Sequence, residues 1–159
     1  YKKVFNTNDY FEIWISHGNA PVAETYEYVL LPAKSKEETQ AYAANPAIEI
    51  ISNTKNIQAV RHVVQDISGY IFWEIGVCED IEVYNPMAIM LRKYESKICL
   101  AFSDPTQNQK KLEFRIRGQY KIEDQPCEIT VEVEEEYTLI SCAPIENYGK
   151  SYELTLYEK

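Results

Sequence analysis

Trp14-Ile15-Ser16-His17-Gly18-Asn19-Ala20-Pro21 and, a little further on, Tyr26-Glu27-Tyr28-Val29-Leu30-Leu31-Pro32 decide how this chain is read. Two apolar runs of strand length flank a turn that contains both Gly18 and Pro21, the pattern of two antiparallel strands. The first run reaches back to Tyr10. There Phe11, Ile13 and Ile15 alternate with Tyr10, Glu12, Trp14 and Ser16, the period of two that a strand imposes on its side chains. The second run, residues 25–31, ends at Pro32, which has no N–H to give to a ladder. A strand so near the first residue is expected to pair with sequence that precedes it, so the chain reads as a piece cut from a longer polypeptide.

Outward from these runs, Ser35-Lys36-Glu37-Glu38 has the form of a capping box, and the segment continues through Tyr42 and Ala43 until Asn45-Pro46 stops it. One short helix is expected near 35–44, with too few turns to hold without packing on a sheet. Strands are expected at 48–51 and 57–64, joined by the polar turn Ser52-Asn53-Thr54-Lys55-Asn56. From Ser68 onward short strands follow near 70–75, 81–84, 88–94, 97–102, 112–117, 128–134, 137–141 and 152–157. Strands in such number, without helices between them, imply an all-β antiparallel sandwich. Leu112, Phe114 and Ile116 alternate with Lys111, Glu113, Arg115 and Arg117; Ile129, Val131 and Val133 alternate with Glu128, Thr130, Glu132 and Glu134. A basic and an acidic outer face predict that these two strands are neighbours joined by cross-strand ion pairs. The functional rival is a basic groove for an acidic sugar chain.

The 159 residues include 25 acidic and 16 basic side chains, a net charge of -9, which repels nucleic acid and anionic membrane surfaces. Neither is expected as a partner. At 45% hydrophobic and 26% charged the composition is that of a globular protein. No apolar run approaches bilayer length, and Tyr-Lys-Lys-Val-Phe-Asn is no signal peptide, so any export signal is expected upstream. Cys78, Cys99, Cys127 and Cys142 are widely spaced, with no Cys-x-x-Cys, and no metal site or cofactor is expected. They read as free thiols on strands; one or two disulfides are the alternative, and the spacing does not choose a pairing.

Few residues invite chemistry. His17 lies in the turn beside Gly18, where functional side chains often occur, but no Asp, Glu or Cys stands near it at the spacing of a ligand cluster. It reads as a turn or packing histidine, as does His62, with Arg61 on the opposite face of the same strand. Trp14, Trp73 and the 13 tyrosines could stack on sugar rings, although strands favour aromatics for packing alone. In Ser103-Asp104-Pro105-Thr106-Gln107 the Asp and Thr side chains are suited to satisfying backbone groups of a turn, and Ser103 lacks the base and oxyanion hole of a nucleophile.

Taken together, Trp14-Ile15-Ser16-His17-Gly18 with Pro21, Tyr26 through Pro32, Glu37-Glu38-Thr39 with Tyr42-Ala43, Asn53-Thr54, Ile57-Gln58-Ala59-Val60 and Ser103 through Gln107 resemble polysaccharide lyase family 8. That family includes hyaluronate, chondroitin AC and xanthan lyases, and the likeness runs over residues 10–107 in the family's order. The resemblance implies enzymes that cleave uronic-acid-containing polysaccharides by β-elimination: the uronate carboxylate is neutralised, a base removes the C5 proton, and the glycosidic oxygen leaves with a proton. The family's catalytic Asn, His and Tyr lie in an N-terminal helical toroid, so no residue of this chain inherits a catalytic role and no metal ligand is expected, while whether any of its residues touches substrate stays open. His17 falls in a β motif of the family, away from its catalytic histidine. The resemblance further implies that residues 1–47 end the family's central β-supersandwich and that 48–159 form its C-terminal β-sandwich. The chain would then be a non-catalytic scaffold for an upstream helical catalytic domain of the same polypeptide, in a secreted or periplasmic bacterial enzyme acting on acidic polysaccharide. A carbohydrate-binding module using surface aromatics is the alternative.

Overall fold

The computed structural model describes residues 8–9, 12–124, 126–144 and 149–159. The chain divides into two compact units, Tyr1–Lys34 and Ser35–Lys159.

In the first unit, the expected strands at 10–16 and 25–31 do not form among the described residues; Tyr10 and Phe11 lie outside them. The physical reason is visible in the side chains. Trp14 is 78% exposed and Leu30 71%, and Ile13, Val22, Tyr26 and Tyr28 are exposed as well. An alternating pattern becomes a strand only where backbone groups find a ladder and one face finds a core. The turn between the runs is present, with Gly18 at φ 76° and its N–H directed to Ser16 Oγ at 3.4 Å.

The second unit opens with α1 (Lys36–Ala44), capped as the sequence predicts. The Glu38 N–H donates to Ser35 Oγ at 3.2 Å, and the Ser35 N–H donates back to Glu38 Oε2 at 2.9 Å. Contrary to expectation the helix buries none of its residues. Its short length is supported by the cap, and by Thr39 Oγ1 donating to the Ser35 carbonyl at 2.8 Å.

Among the described residues twelve strands follow: β1 (Ile48–Asn53), β2 (Ile57–His62), β3 (Ile67–Phe72), β4 (Gly76–Cys78), β5 (Ile81–Val83), β6 (Met87–Lys93), β7 (Lys97–Ser103), β8 (Leu112–Arg117), β9 (Tyr120–Ile122), β10 (Ile129–Val133), β11 (Tyr137–Cys142) and β12 (Tyr152–Glu158). They make two antiparallel sheets, a seven-stranded one ordered β1-β2-β3-β6-β7-β12-β9 and a five-stranded one ordered β10-β11-β8-β5-β4. The alternating residues of both, among them Phe72, Met87, Ile89, Leu100, Phe114, Ile116, Ile140 and Leu156, form one buried cluster. Phe102 of β7 meets Phe114 of β8 edge to face, centroids 5.1 Å apart, across the sandwich.

The chain changes sheet between β8 and β9. There the buried Thr138 hydroxyl donates to the Gly118 carbonyl and accepts from the Tyr120 N–H, both at 2.9 Å. Gly118 has φ 111°, and a Cβ there would meet the Tyr120 ring at 2.8 Å, so the corner requires glycine.

One expected pairing is wrong. β8 and β10 are not neighbours, because β11 lies between them. The arginines of β8 find their acids mainly at β5 and the turn before it: Arg115 Nε donates to Glu82 Oε2 at 2.8 Å, and Arg117 Nε lies 3.5 Å from Asp80. Arg115 also lies over the Tyr137 ring at 4.2 Å and reaches Glu134, just past β10, at 3.7 Å. This face is an ion-paired surface whose arginines are already occupied.

Candidate functional site

The most concentrated chemistry lies where β2, β3 and the turn after β4 meet. Arg61 stands opposite Ser68 in the β2–β3 register, and its Nε donates to Ser68 Oγ at 3.3 Å. Its Nη2 donates to both carboxylate oxygens of Glu79 at 2.5 Å, and Glu49 lies 3.7 Å from Nη1. The buried Tyr70 hydroxyl donates to Glu79 Oε2 at 2.7 Å. Glu79 is carried by a tight turn between β4 and β5 with φ 51°.

The ionisation of the cluster decides what it can do. Burial, reinforced by the hydrogen bond to Glu79, pushes the Tyr70 phenol up to about 12. Burial also works to raise the Glu79 carboxyl, but hydrogen bonds from Tyr70 and Arg61 outweigh it and hold the group below its ordinary value. The Glu79 carboxylate in turn raises Arg61. Tyr70 therefore stays protonated and donates, the reverse of what a tyrosine general base requires. Arg61 and Tyr70 belong to the seven-stranded sheet and Glu79 to the turn joining two strands of the five-stranded one, so the cluster is a polar clamp between the two sheets.

A second candidate is the outer face of the seven-stranded sheet. The cross-strand registers align Val60, Gly69, Met90 and Ala101 in one row, and Ile71, Ala88 and Ser103 in the next. The small residues leave an apolar trough of roughly 450 Å³. Gln58 lines one end of it and holds Trp73 by accepting the indole N–H at 2.7 Å, leaving that ring 45% exposed.

The residues singled out by sequence scatter. His17 sits in the first unit, its ring 6.4 Å from that of Tyr26, which stacks on Tyr28; Trp14 lines the same groove. His62 Nδ1 accepts from the Gln65 N–H at 3.3 Å, a packing role at a turn. Asp104 is only 2% exposed, and its carboxylate accepts from the N–H groups of Thr106, Asn108 and Gln109 and from the Thr106 hydroxyl, at 2.6–2.8 Å. It organises the turn after β7, as its sequence suggests. Cys78, Cys99, Cys127 and Cys142 are all free thiols, Cys78 and Cys142 buried and Cys127 exposed. Among the described residues, no three His, Cys, Asp or Glu side chains are grouped to hold a metal ion. The sequence reading missed the Arg61–Glu79–Tyr70 clamp, because its members are separated along the chain and β4 carried no strand signal.

Comparison with known proteins gives this sandwich its relatives. Residues 49–113 match the domain described as the polysaccharide lyase family 8 C-terminal beta-sandwich, and residues 2–43 match the family's super-sandwich domain. The chain belongs to polysaccharide lyase family 8. A xanthan lyase of Bacillus sp. (strain GL1) is 38% identical over 104 residues, which is 64% of this chain and 11% of that protein. A hyaluronate lyase of Enterococcus faecalis is 33% identical over 114 residues, 70% of this chain and 11% of its own. The solved structure of a Paenibacillus xanthan lyase superposes with a TM-score of 0.75 at 23% identity, over 81% of this chain and 13% of that one. A Streptomyces coelicolor A3 chondroitin AC lyase gives 0.71 at 14%, over 79% of this chain and 17% of that one; both superpositions speak to the fold. The chain thus spans only 11–19% of the length of the first curated family 8 relatives it matches. Among the described residues, no helix is long and apolar enough to cross a membrane.

Proposed function

We propose that this chain is a non-catalytic C-terminal β portion of a family 8 polysaccharide lyase, with residues 1–47 ending its supersandwich and 48–159 forming its last sandwich. The observation that carries this reading is the exposure of Ile13, Trp14, Tyr28 and Leu30 in a segment that matches the super-sandwich domain. Apolar side chains left open in such density call for cover, and the remainder of a lyase would supply it. The parent is a bacterial carbon–oxygen lyase, secreted or periplasmic, that cleaves uronic-acid-containing polysaccharide by β-elimination in an upstream helical domain. This segment braces that domain. The Tyr70 clamp favours the assignment, since burial and the hydrogen bond to Glu79 hold its phenol protonated and it does not offer a base.

Incubating the pure chain with hyaluronan, chondroitin or xanthan should give no ultraviolet absorbance from unsaturated uronate. Product formation that survives rigorous purification would overturn the assignment.

One observation favours a second reading. Trp73, oriented by Gln58 at the end of the trough, has the posture of a stacking platform for a sugar ring. Titration calorimetry separates the two: saturable binding of uronate polysaccharide that is lost in Trp73→Ala supports a carbohydrate-binding module, and no heat supports the scaffold.

A further inference from the structure

Beyond the trough, the same outer face of the seven-stranded sheet carries a cluster of cations around the turn that joins β6 to β7. Leu91, Ile98, Leu100 and Leu156 point into the core, so alternation turns Arg92, Lys97 and Tyr157 outward. The register sets them side by side. Lys97 is the partner of Tyr157 on β12, and Tyr157 is in turn the partner of Lys121 on β9. Across the turn the Tyr94 N–H donates to the Lys97 carbonyl at 2.9 Å. The Tyr94 ring holds both neighbouring cations, with the Arg92 guanidinium 5.1 Å from its centroid and the Lys97 ammonium 5.3 Å. The Glu158 N–H donates to the Ser96 carbonyl at 3.2 Å, which ties this turn to β12.

The pairing of charge sets this cluster apart. Arg61, Arg115, Arg117, Lys93, Lys111 and Lys150 each lie against a carboxylate. Arg92, Lys97 and Lys121 make no ion pair among the described residues, although the chain as a whole carries a net charge of -9. The acids of this corner, Glu123, Asp124 and Glu153, gather around a hollow further along β12 and bound the cluster on that side. Lys97 and Lys121 are two strand spacings apart, roughly 10 Å at the backbone. A polysaccharide with a carboxylate on alternate sugars spaces its charges on that scale. Nucleic acid is denser, with a phosphate about every 3.4 Å along each strand.

We infer that Arg92, Lys97 and Lys121, with Tyr94 and Tyr157 between them, form a docking surface for a polysaccharide chain that carries a carboxylate on alternate sugars. The inference rests on the proposed reading of the parent as a lyase of uronic-acid-containing polysaccharide, and adds that the scaffold itself holds the chain. The cations meet the carboxylates, and the tyrosines offer ring faces and hydroxyls to the sugars between them. Tyr94 fixes where two of the charges stand. Every contact is exposed to solvent, so binding is weak and falls with added salt. It does not involve Trp73, which separates it from the stacking platform at the trough.

The test titrates hyaluronan oligosaccharides of defined length into this chain at low salt, by calorimetry. Saturable binding is expected that weakens with salt and is unchanged in Trp73→Ala. The double variant Arg92→Gln, Lys97→Gln should bind about tenfold more weakly, and Lys121→Gln about threefold. Tyr94→Ala keeps all three charges but frees Arg92 and Lys97, and should also cost about threefold. The charge-preserving double variant Arg92→Lys, Lys97→Arg should bind as the wild type does, and all variants should keep its melting temperature. Absence of binding, equal binding of neutral dextran, full binding by the Gln double variant, or tighter binding of an oligonucleotide or a polyglutamate of matched charge would each overturn the proposal. Ultraviolet absorbance followed in the same samples reports separately on the non-catalytic reading: unsaturated product would overturn that reading, whereas loss of binding alone would overturn only the docking surface.

Discussion

Ile13 and Ile15 alternate with Trp14 and Ser16 as cleanly as Leu112, Phe114 and Ile116 alternate with Glu113, Arg115 and Arg117. Yet the second set makes β8, flanked by β11 and β5 with its apolar face buried, while the first set stays outside any ladder with its rings in solvent. Local pattern is thus a conditional instruction. Period two says which side chains will share a face, and a strand appears only where another strand and another layer accept it. Residues 12–34 and 35–159 differ in that supply of partners rather than in propensity.

Mutation can break this contrast directly. Phe114→Ala removes a fully buried ring from the contact with Phe102 and should cost about 3–5 kcal/mol in urea unfolding. Trp14→Ala, deleting a larger side chain from the first unit, should change the stability of the same chain by less than about 0.5 kcal/mol. Equal effects would erase the distinction between the two regions. Asp104→Asn tests whether polar groups of the second unit matter as its apolar ones do. The substitution leaves one oxygen where four donors converge, and a loss of about 2 kcal/mol is expected. Thr138→Val strands the Gly118 carbonyl and the Tyr120 N–H at the corner between sheets, and should cost about 1–2 kcal/mol by the same measurement.

How much of this was legible depended on how far apart the partners lie. The capping box of Ser35 and Glu38 and the turn of Asp104 and Thr106 are settled within a few residues, so sequence placed them. The bounds of β8 were read correctly because its alternation spans the whole strand. The strand expected at 70–75 is instead β3, Ile67–Phe72, because its partners on β2 and β6 set its bounds and the apolar Trp73 and Ile75 fall in the bend beyond. β4 and β9, of three residues each, went unread. The β8–β10 pairing was mistaken because complementary charge does not specify adjacency, and the acids that serve Arg115 and Arg117 are mainly Glu82 and Asp80. The Arg61–Glu79–Tyr70 clamp exists only once β4 and β5 bring Glu79 beside β2 and β3.

Within the second unit, the smallest expected loss concerns that clamp. Because the folded Glu79 carboxyl is held below its ordinary value of 4.5, the stability it confers is complete above that pH and lost as pH falls through the lowered value. Both partners are about one-third exposed, so screening limits the contribution to about 1 kcal/mol. Glu79→Gln should therefore flatten the wild-type decline in melting temperature below pH 4.5. A variant that declines as steeply as the wild type would assign the acid sensitivity to other groups.

The central claim is that residues 12–31 find their strand partners in the rest of a family 8 lyase, whereas 48–158 fold on their own. Amide hydrogen exchange on this chain alone and on a full-length lyase carrying it measures both halves of the claim. The account predicts protection of β3, β7, β8 and β11 in both samples, and of residues 12–31 only in the full-length protein. Protection of 12–31 in the isolated chain, or exchange of that segment as fast in the full-length enzyme as in the chain alone, would contradict it.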